Sequence, residues 1–252
     1  MKLFLKKVFK RIQSSLESKV KYPSLESFDD PLALKIEWTP LVKGGANFVT
    51  HKLKLLSPSV VEFKASFGYK AFSLLFLIVG LLLFFWAIFN YTKSDLGDLW
   101  IFFLLIIGVG FSLSGMYLFR TATLKIIFDK DQGFFWKSRF GPREVPNKDS
   151  IKVLQRLSDI HALQIISEEV SSTEHNYESY ELNLVLRSGE RINLVDHGGY
   201  DQIVVDSILL GEFLSIPVWP YLKQGVDSDP KTQKYFPSPL IAPLGAYGRF
   251  QY

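Results

Sequence analysis

Side chains able to do chemistry are sparse in this 252-residue chain. With no cysteine, thiolate nucleophiles, thiolate metal sites and structural disulfides are excluded. Four histidines, His51, His161, His175 and His197, are scattered, and none belongs to a His-x-x-x-His or Glu-x-x-His pair. No Walker loop, dinucleotide-binding glycine pattern or G-x-S-x-G elbow occurs. Asp196-His197, placed at a strand end before Gly198-Gly199, is the most suggestive dipeptide. An acid beside a base could activate water, but the same residues suit a turn that caps the following helix. Glu168-Glu169 reads as a solvated pair rather than an acid–base couple. Lys43-Gly44-Gly45-Ala46-Asn47 sets a cation beside two glycines, yet lacks the following helix that a phosphate cradle needs. A tight turn leading into a strand suits it better. The expectation is a non-enzymatic protein with no catalytic residue, no metal site and no cofactor.

The best binding candidate is the basic loop Lys137-Ser138-Arg139-Phe140-Gly141-Pro142-Arg143. Lys137, Arg139 and Arg143 could receive anionic lipid headgroups or a protein partner, at about 1 kcal/mol per cation near a charged bilayer. A solvated turn would carry the same charges. The chain's formal charge is +4, with 13 Lys or Arg against 6 Asp or Glu in residues 1–70, so the excess is amino-terminal. No nucleic-acid module accompanies it, and a basic arm beside apolar segments points to a lipid surface instead.

Two stretches dominate the hydropathy. Ala71 to Phe89 and Leu99 to Phe119 are 19 and 21 residues long without a charge. At the rise of an α-helix they span roughly 28 and 31 Å, the thickness of a hydrocarbon core. Tyr69, Trp86, Tyr91, Trp100 and Tyr117 near their ends suit an aqueous–lipid boundary. The short linker Asn90 to Asp98 implies an antiparallel transmembrane hairpin over residues 67–120. Gly108/Ser112 and Gly110/Ser114 permit close helix approach, within the hairpin or between copies. Lysines and arginines flank the outer ends of the pair, whereas the linker holds Lys93 against Asp95 and Asp98. The positive-inside rule then places both termini in the cytoplasm.

Around the hairpin the periodicity is that of strands. Residues 1–50 read as a basic amphipathic arm, with Leu3, Phe4, Val8 and Ile12 near one face of a short interfacial helix or in a disordered tail. Lys52 to Leu56 and Val60 to Ser66 form a strand pair, 51–66, expected to join the later sheet. Over 121–220, alternation about the turn Asp129 to Gly133, two strands at Ile151 to Leu157 and Ala162 to Val170, and a hairpin turn at Ser188-Gly189-Glu190 predict a β-rich domain. Tyr200 to Leu214 carries one apolar helical face, and Ile216 to Trp219 returns as an extended segment. Residues 221–252 read as an extended tail.

Six or seven strands closed by one helix is the element order of a pleckstrin-homology-like roll. The FDKDQGFFWKSRFGP segment, the Ser-Gly-Glu turn and a helix ending EFLSIPVW give the chain over about 70–220 a resemblance to bacterial two-span membrane proteins with a PH-like cytoplasmic domain. In layout it is also similar to the two-span photosystem I assembly factor of thylakoids. The strongest matching residues are Phe128, Asp129, Gly133, Phe140, Gly141, Phe213, Leu214, Pro217 and Val218. PLALKIEWTPLVKGGANFVTH has no counterpart in the thylakoid factor, which counts against a photosynthetic role. The expected fold is thus a membrane α-helical hairpin plus an α+β domain, a PH-like antiparallel β-roll with a C-terminal helix. The resemblance implies a bacterial inner-membrane adaptor or assembly protein, with the bilayer and a membrane protein or a second copy as partners. An immunity-type protein that neutralises a membrane-targeted toxin, or a membrane hydrolase or transferase, are the rival expectations.

Overall fold

The computed structural model describes residues 23–91, 99–171 and 176–222. The expected interfacial helix, most of the inter-helix linker, His175 and nearly all of the carboxy-terminal tail lie outside them. The described residues fall into two compact units, one within 48–157 and the other comprising 23–47 together with those from 158 to 222. The division falls inside the 121–220 segment expected as one β domain, because strands before residue 157 pair only among themselves, as do those after it.

The first unit is a five-stranded antiparallel sheet carrying two long helices. Its strands are β1 (His51–Ser57), β2 (Val60–Ala65), β3 (Lys125–Asp129), β4 (Phe134–Ser138) and β5 (Leu154–Arg156), in that spatial order. Alternation sends Val61, Phe63, Ile126, Phe128 and Phe135 to one buried face, where Phe128 and Phe135 stack at 4.6 Å. On the other face Ile127, Trp136 and Ile151 form a second cluster with Val60, Phe134, Val145 and Leu154. The β3–β4 turn is set by Asp129, whose carboxylate accepts from the Gln132 backbone N–H at 2.9 Å, and by Gly133 at φ 73°.

Helices α1 (Phe67–Tyr91) and α2 (Leu99–Ala122) leave the sheet between β2 and β3. At 25 and 24 residues they are about 37 and 36 Å long, and both are long and apolar enough to cross a membrane. Only 17% of the most apolar window of each helix is buried, so apolar side chains face outward nearly all round.

The helices meet through glycine. A Cβ on Gly108 would lie 2.7 Å from the Phe84 backbone nitrogen, and one on Gly80 or Gly115 would overlap the facing helix backbone. Phe76 and Phe111 stack across the seam at 5.3 Å, and the Tyr69 and Thr121 hydroxyls hydrogen-bond at 3.0 Å where the hairpin joins the sheet. Of the two small-residue spacings in α2, Gly108/Ser112 therefore serves packing within the hairpin. Gly110 lies on the outer side, with nothing within 4 Å of a Cβ placed there.

The second unit is a mixed sheet of order β8-β7-β6-β9, built from β6 (Ile160–Val170), β7 (Tyr177–Leu186), β8 (Arg191–His197) and β9 (Val218–Tyr221). It departs from the expected all-antiparallel roll at β9, which pairs parallel to β6. A parallel partner needs a crossover, and α3 (Tyr200–Leu214) supplies it. Ile203, Val204, Ser207, Leu210 and Gly211 form its buried face.

The opposite sheet face is covered by residues 24–47, the latter half of the expected amino-terminal arm. Phe28, Ala33 and Trp219 share a core with Ala162 and Val185, and Trp38 stacks on Phe28 at 5.1 Å. The His161 Nε2 and Asp30 Oδ2 atoms, 2.7 Å apart, tie the start of this strap to β6.

Replacing Gly115 by Leu should overpack the helix seam and cost about 1–3 kcal/mol, whereas Gly110→Leu should stay within about 0.5 kcal/mol of the parent. Thermal unfolding of the full chain in detergent checks this contrast.

Candidate functional site

Strand register places the basic loop beside the base of the hairpin. Lys125, three residues beyond α2, pairs with Ser138 at the end of β4. Arg139, Phe140 and Arg143 follow immediately and are exposed, Phe140 to 57%. The loop turns back over that end of the sheet, where Glu144 Oε1 lies 3.8 Å from Lys125 Nζ and its other oxygen accepts from the Gly141 N–H at 3.1 Å. Lys137 remains within β4, donating its backbone N–H to Val153 at 3.0 Å. Its register partner is Ile126, so Lys137 stands on the sheet face opposite Lys125.

A row of lysines that the linear sequence does not reveal runs beside them. Lys52 stands directly opposite Lys64, and Lys125 follows next in the same row, one position beyond the Phe63–Ile126 pair. Directly opposed like charges are unfavourable in a sheet. Neither Lys52 nor Lys64 enters an ion pair among the described residues. In the neighbouring row, farther from the hairpin, Lys54 stands opposite a carboxylate, Glu62.

In the second unit, two motifs distant in sequence come together. Gly45, from the Lys43–Asn47 loop, is pressed so closely against Asp196 and Ser179 that a Cβ would overlap both side chains. A Cβ on Gly198 would lie 2.6 Å from the Asn47 carbonyl carbon. The glycines thus provide close approach between the strap and the sheet. Ser179 Oγ donates to Asp196 Oδ1 at 2.7 Å. Asp196 and His197 point to opposite faces of β8: Asp196 sits across from Glu181 on the strap side, and His197 across from Tyr180 on the helix side. His197 Nδ1 accepts from the Gly199 N–H at 3.1 Å. The two side chains do not form an acid–base dyad.

Glu168 and Glu169 also separate, Glu168 accepting from the Gly44 N–H at 3.1 Å and Glu169 from Asn176 Nδ2 at 3.2 Å. Among the described residues no three His, Asp or Glu side chains gather as a metal site.

What the sheet side chains do instead is hold the strap's backbone. Glu181, only 2% exposed, accepts from the Leu41 N–H at 2.8 Å with one carboxylate oxygen and from the Val42 N–H at 2.7 Å with the other. Asn183 Nδ2 donates to the first of these oxygens. Gln164 Nε2 donates to the Glu37 carbonyl at 3.0 Å, Arg191 to that of Thr39 at 2.8 Å and Tyr177 Oη to that of Gly45 at 2.9 Å. Sequence reading missed this lattice because the partners lie about 130–150 positions apart and the bonds just described engage the strap's backbone, which leaves no residue-type signal.

Substituting Gln for Glu181 replaces one acceptor by an amide donor facing a strap N–H, and should cost about 1–3 kcal/mol. Limited proteolysis of the full chain should then cut faster within residues 37–47. A pH effect belongs to Tyr200, whose phenol is raised above its ordinary value by burial first and by the neighbouring Asp201 carboxylate second. Folding favours the neutral phenol, so this contribution is complete below the unfolded value and disappears as pH climbs through the folded one. Tyr200→Phe should flatten that alkaline limb in a stability–pH profile.

No family model, curated protein or solved structure matches this chain.

Proposed function

We propose that this chain is a non-enzymatic, membrane-anchored adaptor, held in a bacterial inner membrane by the α1–α2 hairpin and offering its β domains to a protein partner in the cytoplasm. The observation that carries the reading is the position of the apolar pair. It emerges from adjacent, hydrogen-bonded strands β2 and β3, so the anchor continues a folded sheet rather than trailing from a tether. Outward-facing side chains such as Leu82, Phe85 and Leu113 demand an apolar surround on all sides.

Both strands that bear the hairpin lie on one side of it, and the flanking cations favour the cytoplasm for that side. A PH-like character is supported by element order: strands, then a further strand group, then a helix over the last sheet. The adaptor reading over a hydrolase draws on the fate of the reactive side chains, since Asp196, Ser179, Glu181 and Glu168 are engaged with one another or with the strap.

Crosslinking in native membranes, followed by purification in detergent, tests the adaptor role. One stoichiometric partner protein, or a second copy of the chain, is the expected product. A clean monomer from crosslinked membranes would sink the reading.

A further inference from the structure

The hairpin end of the five-stranded sheet carries charge that the fold does not neutralise. Lys52 and Lys64 oppose each other, Lys125 continues their row, and Arg139 and Arg143 lie exposed on the loop that begins at the adjacent strand end. Among the described residues only Glu144 answers them, at 3.8 Å from Lys125. Between the two arginines stands Phe140, 57% exposed, in a loop whose Gly141 and Pro142 are buried against the sheet. A Cβ on Gly141 would lie 3.2 Å from the Trp136 ring, so the turn is seated closely and holds Phe140 outward. Phe67, at the start of α1, is 87% exposed at the same end.

Cations flanking an outward aromatic ring, beside the point where two apolar helices leave the fold, form a surface of defined chemistry. The ring suits the boundary between headgroups and acyl chains, and the cations suit the phosphates just outside it. We infer that the β4–β5 loop, through Arg139, Phe140 and Arg143, together with the Lys52–Lys64–Lys125 row, docks on anionic phospholipid headgroups of the membrane that holds the hairpin. The inference rests on the membrane-spanning reading of α1 and α2. Anionic headgroups would relieve the repulsion between opposed lysines, and the docked loop would hold the sheet at a fixed height and rotation above the bilayer. A protein partner at this loop would need carboxylates to match the same cations, but it would have to compete with a bilayer already alongside.

The absence of native cysteine allows a direct test. The full chain carrying Phe140→Cys, labelled with an environment-sensitive fluorophore, is reconstituted into phosphatidylcholine vesicles and into vesicles in which about a third of the lipid is phosphatidylglycerol. Emission should brighten and shift to the blue in the anionic vesicles, and the change should be lost at high salt. Adding Arg139→Gln and Arg143→Gln should lower the ratio of docked to undocked loop by up to about thirtyfold, at about 1 kcal/mol per cation. A label at Pro58→Cys, on the β1–β2 turn at the end of the same sheet away from the hairpin, should ignore lipid composition. Identical emission from residue 140 in the two kinds of vesicle, or a response unchanged by the arginine substitutions, would overturn the inference and leave the loop to a protein partner. Flotation separates this outcome from failure of the underlying reading. A chain that does not float with vesicles overturns the membrane anchor itself, whereas one that floats without a lipid-dependent signal overturns only the docking.

Discussion

Strands β2 and β3 are antiparallel neighbours, and their chain connection is a pair of helices about 36 Å long. Hydrogen bonding between Val60–Phe63 and Ile126–Asp129 brings the end of one helix and the start of the other within a strand spacing. That constraint decides much else. The helices must run side by side from their first turn, which is possible only where their backbones can approach closely. Gly80, Gly108 and Gly115 permit this, and the Tyr69–Thr121 hydrogen bond closes the junction. The same pairing fixes which residues surround the hairpin base, because every register position in β1 and β4 is counted from β2 and β3.

Charge follows from that register. Lysines distributed over three strands fall into one row, and a loop more than seventy residues beyond the first of them begins beside it. If the hairpin spans a bilayer as proposed, the electrostatic collar results from sheet geometry acting on a modest overall charge. On that reading, coupling anchor and collar through one sheet would make orientation at the membrane a property of the fold.

How much of this was legible in the sequence differed by element. The hairpin stood out because two apolar runs of this length, lacking any polar face, suit a bilayer and little else. The turns at Gly133 and Ser188-Gly189-Glu190 announced themselves through residues that tolerate tight backbone geometry. The basic loop was found as a run of residues, but its neighbours Lys52 and Lys64 were not, since cross-strand proximity depends on pairings that sequence distance hides. The strap was least visible. Residues 39–47 lack strong alternation because it is their backbone that hydrogen-bonds to the sheet, and Leu41 and Val42 face outward while their N–H groups turn in to Glu181. Polar residues such as Gln164, Glu181 and Asn183 on interior strand positions were the available hint, because buried polar groups need partners. Nor could the parallel placement of β9 be read from its four residues, since direction is set by α3 before it.

Everything proposed for this chain depends on the hairpin crossing a bilayer once in each direction, with the β-sheets on one side. Single cysteines at Ser94, in the inter-helix linker, and at Ser188, in the β7–β8 turn, can be probed with a membrane-impermeant thiol reagent in intact and permeabilised cells. Ser94→Cys should be labelled from outside in intact cells, and Ser188→Cys only after permeabilisation. Labelling of both from the same side would contradict the transmembrane hairpin.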